Sequence, residues 1–233
     1  MKITWLGHSG FRIEIADQVL LVDPWFTGNP VFDPANREAA IKGVTACLVS
    51  HGHFDHASDA FAIGVETGCK VLGIFDLVSY MAGQHQFDGV GFNKGGTVTL
   101  GGVTVTMVSA THSSSMMVDG KPVYAGAESG FVIAGEGQVI YFAGDTDVHA
   151  DMGLIAEMHR PTIGILPIGG HFTMDAERAA FACRKFFDFK AVIPCHYKTF
   201  PLLAQSADAL AEALAPTPVH APDVMGTVDF PAS

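Results

Sequence analysis

Six consecutive residues, His51-Gly52-His53-Phe54-Asp55-His56, carry three imidazoles and a carboxylate. An apolar core does not accept so many polar groups without partners, whereas a divalent cation satisfies several of them at once. The pattern HxHxDH arises in a shuffled chain of this composition roughly two times in a thousand. Whatever fold the chain adopts must therefore bring further metal donors to this segment.

The flanking sequence places the motif. TACLVS before it reads as a buried strand, and DAFAIGVETG after it has helical apolar spacing and a stop at Gly68. On an extended backbone His51 and His53 point to one side, and the following turn aims Asp55 and His56 at a second point, so one motif can serve two ions. The remaining donors fall where buried strands end. His8 follows KITWLG, His112 follows VTVTMVSAT, Asp145 follows QVIYFAG, His171 follows GILPIGG and His196 follows AVIPC. If those strands run the same way, the side chains converge on one cleft. Taken singly, His112 also suits a turn, Asp145 a helix N-cap and His196 an exposed loop. His85, His149, His159 and His220 lack strand-end placement and read as surface or packing residues.

The rest of the chain alternates strands and helices. KITWLGHS, GFRIEIA and QVLLVDPWF predict an antiparallel meander; KVLGIF predicts a strand and LVSYMAG a helix. VGFNKGGTVTLGGVTVTMVSATH returns to strands, the segment around 113–128 reads as a surface loop, and GFVIAGEGQVIYFAGD predicts a hairpin turning at Glu136 and Gly137. TIGILPIGG and AVIPCHY predict two more short strands with the helix DAERAAFACRKFF between them. Two β-rich halves with interspersed helices predict an α/β, four-layer αβ/βα sandwich with two mixed sheets rather than a doubly wound sheet. No linker divides the halves, so residues 1–233 are expected to form a single domain, with the Pro-rich APTPVHAPDVMG running over the surface near the site or a sheet edge.

Composition narrows the function. With 48% apolar and 16% charged residues the chain can bury a large core, and a formal charge of −11 argues against an extensive nucleic-acid surface. The start meets Arg12, Glu14 and Asp17 too early for a secretory core, and no stretch reaches membrane-span length; a cytoplasmic protein is expected. Cys47, Cys69, Cys183 and Cys195 are scattered, as buried free thiols are.

These residues together resemble the metallo-β-lactamase fold superfamily: HxHxDH, then His112, Asp145 and His196 in order. GHSGF, THS, AGDT, LPIGGHFTM and PCHYKTFPLL are similar to segments of small bacterial metal-dependent hydrolases of that fold, a group similar to ascorbate-6-phosphate lactonase and, through GHS, to N-acylphosphatidylethanolamine phospholipase D. The resemblance implies one ion on His51, His53 and His112, another on Asp55, His56 and His196, and Asp145 between them. His8 would stand near the site as a substrate-contacting or supporting residue, and Asp55 and His171 would take part in catalysis. The expected reaction is attack by a metal-bridging hydroxide on an ester, lactone or phosphoester, with His171 or water protonating the leaving group. Imidazole and carboxylate ligands suit zinc, and also manganese, iron or nickel. A small-molecule substrate is expected, with an anionic one and a homo-oligomer both compatible. Met116, Met117, Phe26 and Phe172 are candidates for a pocket wall. Rival readings are a phosphodiesterase, a di-iron redox module and a non-catalytic metal-binding protein.

Overall fold

Strand burial follows the sequence pattern. The computed structural model describes residues 1–231. Its first sheet contains β1 (Lys2–Trp5), β2 (Phe11–Ile15), β3 (Gln18–Val22), β4 (Ala46–Val49), β5 (Lys70–Ile74) and β6 (Asp88–Phe92). Between them lie the helices α1 (Arg37–Ile41), α2 (Phe54–Ala57), α3 (Ala60–Thr67) and α4 (Phe75–Ala82). The second sheet contains β7 (Thr97–Leu100) and β8 (Val103–Ser109). A separate hairpin, β9 (Ser115–Val118) with β10 (Lys121–Tyr124), then precedes β11 (Ser129–Gly135) and β12 (Gln138–Phe142). After these come α5 (Asp151–His159), β13 (Ile163–Pro167), α6 (Ala176–Phe186), β14 (Ala191–Cys195), α7 (Asp208–Leu214) and β15 (Thr227–Asp229), which returns to the free edge of β1.

Strand order in the seven-stranded sheet is β15-β1-β2-β3-β4-β5-β6, and in the six-stranded sheet β14-β13-β12-β11-β8-β7. Both are mixed. β3 to β6 are parallel, as are β12 to β14, while the remaining pairings are antiparallel. The parallel strands β4, β13 and β14 are buried at every position, as apolar runs covered on both faces must be. β2 alternates buried and half-buried residues. Pro194, which cannot donate to a ladder, lies on β14 at the end of its sheet.

The sheets pack face to face through aromatic contacts, Phe11 against Phe142 at 6.2 Å and Phe92 against Phe131 at 6.3 Å between centroids. α3 and α4 cover the first sheet, α5 lies against β8, and Phe187 just past α6 stacks on Tyr141 at 5.1 Å. This is the α/β sandwich with two mixed sheets expected from sequence. No described helix is long and apolar enough to cross a membrane.

Direction positions the site. β2 is antiparallel to both β1 and β3, so β1, β3 and β4 run the same way; β11 is antiparallel to both β8 and β12, so β8, β12, β13 and β14 do too. Their carboxyl ends gather at one end of the sandwich. Two expectations need correction there. Residues 113–128 are not a plain loop, because Asp119 and Gly120 take positive φ (50° and 73°) and close the β9–β10 hairpin. Of the two roles open to Asp145, the N-cap falls away, since α5 begins at Asp151 after Ala150. Phe26 is not wall but core, stacked on Phe32 at 4.5 Å.

Tyr141 is fully buried and its hydroxyl has no hydrogen-bond partner among the described residues. Tyr141→Phe removes that desolvated group and is expected to stabilise the fold by about 1 kcal/mol, read from the urea midpoint. A loss of stability would mean that the hydroxyl is satisfied.

Candidate metal centre

Each donor is presented by a chain reversal at a strand end. His8, Asp23 and His196 follow β1, β3 and β14 and hold φ of 53°, 45° and 56°, a region that non-glycine residues seldom adopt and that functional sites tolerate. The turn after β4 carries Ser50 and His51, and the single turn of α2 carries Asp55 and His56. His112 and Asp145 follow β8 and β12.

The side chains meet in two groups. His51, His53 and His112 form one: His51 Nε2 lies 3.0 Å from His53 Nδ1, and both rings stand 5.2 Å from His112. His8, Asp55, His56 and His196 form the other. Asp145 joins them, its Oδ2 lying 3.6 Å from His112 Nε2, 3.3 Å from His56 Nε2 and 3.0 Å from His196 Nε2. All seven residues of the expected ligand set are thus brought together. His171 is not: it is exposed beyond β13, its ring edge on Phe172 at 4.6 Å.

Hydrogen bonds behind the rings fix which nitrogens face the cleft. Asp23, fully buried, accepts from Ser50 N at 2.7 Å, from the Ser50 hydroxyl at 2.5 Å and from His56 Nδ1 at 2.7 Å. With its proton given to Asp23, the Ser50 oxygen accepts from His51 Nδ1 at 3.0 Å. Both rings therefore carry Nδ1–H and turn Nε2 toward the cleft, the atom a metal would take. Asp23 also lies close enough to His51 and His56 to be a donor itself, but its oxygens are occupied by these three bonds. His8 Nε2 donates to Asp55 Oδ2 at 3.0 Å while Nδ1 pairs with the Thr199 hydroxyl at 2.7 Å, so His8 holds Asp55 in place.

The electrostatics favour cations. Burial lowers His51, His53 and His112 and, against the pull of Asp55, takes His8 down to about 4, keeping these rings neutral. Burial would also lower His56, but Asp145, Asp23 and Asp55 outweigh it and raise the group well above its usual value. Burial opposes ionisation of Asp145, yet His196 and His56 hold it well below the usual carboxylate range. His56 Nε2 and Asp145 Oδ1 are buried without a hydrogen-bond partner among the described residues, as inward-facing ligand atoms would be. The donor set and these orphaned atoms fit divalent ions. Cys195, next to His196, is buried in the core.

Gly52 carries no side chain for a reason. A Cβ there would lie 2.5 Å from Ala125 Cβ and 3.2 Å from Met116 Cγ, so the hairpin base rests directly on the histidine turn. The segment after Asp145 turns outward: Asp147 pairs with Arg178 at 2.6 Å.

Two mixed sheets with this His/Asp cluster at their strand ends define a metal-dependent hydrolase of the metallo-β-lactamase fold. A family profile described as "Beta-lactamase superfamily domain" matches residues 2–196. The chain is 62% identical over 230 residues to a UPF0173 metal-dependent hydrolase of Dinoroseobacter shibae, covering 99% of this chain and 100% of that one. It is 58% identical to a relative of the same description from Paracoccus denitrificans, covering 97% and 98%. Among solved structures it is similar to Igni18, a metallo hydrolase from Ignicoccus hospitalis, with 31% identity, a TM-score of 0.86 and 99% of each chain covered. The chain belongs to the β-lactamase superfamily, alongside the UPF0173 metal-dependent hydrolases.

Sequence reasoning missed Asp23, whose signal was an Asp at a strand end before Pro24. Asp23→Asn is expected to weaken divalent-ion affinity about 10–100-fold, measured by calorimetric titration, because one ring loses its acceptor. Gly52→Ala is expected to displace the hairpin and cost about 1–3 kcal/mol of stability, read by chemical unfolding.

Proposed function

We propose that the centre binds two divalent ions, one on His51, His53 and His112 and one on Asp55, His56 and His196, sharing Asp145, and that it hydrolyses an ester, lactone or phosphoester. The observation that carries this reading is the reach of Asp145 Oδ2 to donors of both groups, within 3.6 Å of His112 and 3.0 Å of His196. Two such ions, when bound, supply an acidified water as nucleophile and polarise the carbonyl or phosphoryl oxygen under attack. Zinc suits the imidazole and carboxylate donors, as do manganese, iron and nickel.

The protein's own groups orient and move protons. Ser50 and Asp23 accept from Nδ1 of His51 and His56 and so leave Nε2 of each ring as the atom that faces the cleft, and His8 fixes one face of Asp55. Asp55, more exposed than Asp145 (13% against 2%), lines the cavity and is the natural proton acceptor for the attacking water. Protonation of the leaving group falls to water or to His171, whose neighbour Phe172 lines the cavity. His171→Ala separates them: a loss of about 10²-fold or more in kcat assigns the proton to His171, and unchanged turnover assigns it to water.

Metal content by elemental analysis, on protein purified without chelator, tests the centre. Close to two ions per chain are expected, falling to one or fewer in Asp145→Ala. Zero or one ion, unchanged by the substitution, overturns the shared-carboxylate reading.

A further inference from the structure

Above the ligand cluster opens a cavity of about 900 Å³, a size that holds an organic ligand. Its floor is charged and its walls are not. His53, Asp55, His112, Asp145 and His196 form the floor; among the described residues that line the cavity there is no lysine or arginine. The walls carry apolar side chains from separate parts of the chain: Phe54 on α2, Phe61 on α3, Met116 and Met117 on β9, Phe172 after β13 and Leu202 after β14. Phe54, Met117, Phe172 and Leu202 are 49–65% exposed, an unusual cluster of large apolar groups around one mouth. The polar groups on the wall, from Ser58, Ser113 and Ser115, are neutral hydroxyls.

We propose that the substrate is uncharged outside its reacting group and carries an aliphatic or aryl tail that lies along this wall. The proposal rests on the hydrolytic reading of the floor. Ions there would accept one negative charge, that of the reacting centre. A second anionic group, such as a phosphate carried on the tail, would leave water for a wall with no cation to receive it, in a chain of formal charge −11. Apolar surface on the substrate gains instead by covering Phe54, Met117, Phe172 and Leu202. Methionine side chains at 116 and 117 repack around different shapes, so the response to tail length should be graded rather than set by one fit.

The test uses alkyl hydroxamates, whose head binds metal and whose tail reports the wall without turnover. Calorimetric titration of metal-loaded protein with the acetyl to decanoyl series is expected to show affinity rising by up to about fourfold per methylene. An ω-carboxylate on the octanoyl probe is expected to weaken binding by about tenfold or more. Leu202→Arg, a change at an exposed side chain, is expected to narrow or reverse that difference. Affinity that is flat or falling with length, tighter binding of the ω-carboxylate, no binding at all, or a ranking untouched by Leu202→Arg overturns the proposal. Turnover is read separately, on p-nitrophenyl esters of the same acids and on bis-p-nitrophenyl phosphate. If the loaded protein hydrolyses none of them while the affinity series holds, the hydrolytic reading fails and the tail subsite stands.

Discussion

The carboxylate of Asp23 accepts from Ser50 N, the Ser50 hydroxyl and His56 Nδ1, and on that fan of bonds the order of the centre depends. One buried anion determines the tautomer of His56 directly and that of His51 through the Ser50 oxygen. It also joins β3 to β4, since Asp23 N donates to Leu48 O at 2.9 Å where the two parallel strands end. A neutral group at 23 would deprive one ring of its acceptor, and a displaced one would loosen both rings and the histidine turn. The geometry seen by an incoming ion is thus decided one layer behind the atoms that would touch it.

The centre is also where the two sheets are stitched together. His196 N donates to His8 O at 3.0 Å, tying the end of β14 to the end of β1. Ser129 donates to Ser50 O through both its N–H, at 3.0 Å, and its hydroxyl, at 2.8 Å, tying β11 to the turn after β4. Trp5 stacks on Tyr197 at 5.1 Å just behind. Donors from opposite sheets keep fixed separations because backbone, and not only side chains, spans the gap. Ions held between them would add a further link between the sheets, and would then couple metal affinity to fold stability.

Much of this was legible from sequence because it is periodic or local. The motif at 51–56, the helix stopping at Gly68 and the Glu136-Gly137 hairpin depend on neighbours a few residues away, and strand-end placement singled out His112, Asp145 and His196. Asp23 escaped because Asp before Pro is ordinary turn chemistry; its partners lie 27 and 33 positions on, and only the β3–β4 pairing brings them near. His171 sits in the same strand-end pattern, yet several residues of irregular chain after β13 carry it to the surface. The β9–β10 hairpin bore a genuine Asp-Gly turn signal, but SMMV and KPVY lack the alternation that marks a strand. The cavity wall was half visible: Met116, Met117 and Phe172 were candidates, whereas Phe54 and Leu202 join them only through the tertiary fold.

That hairpin pairs with neither large sheet, and β10 is exposed along its whole length. Strand edges of this kind are templates on which a second chain can add and aggregation can begin. Lys121 and Pro122 stand on β10, one contributing a charge and the other lacking the N–H that a further ladder would need. A protein that leaves one side of its cavity to a two-stranded ribbon thus carries, in the ribbon itself, two residues that resist the addition of a further strand at that edge.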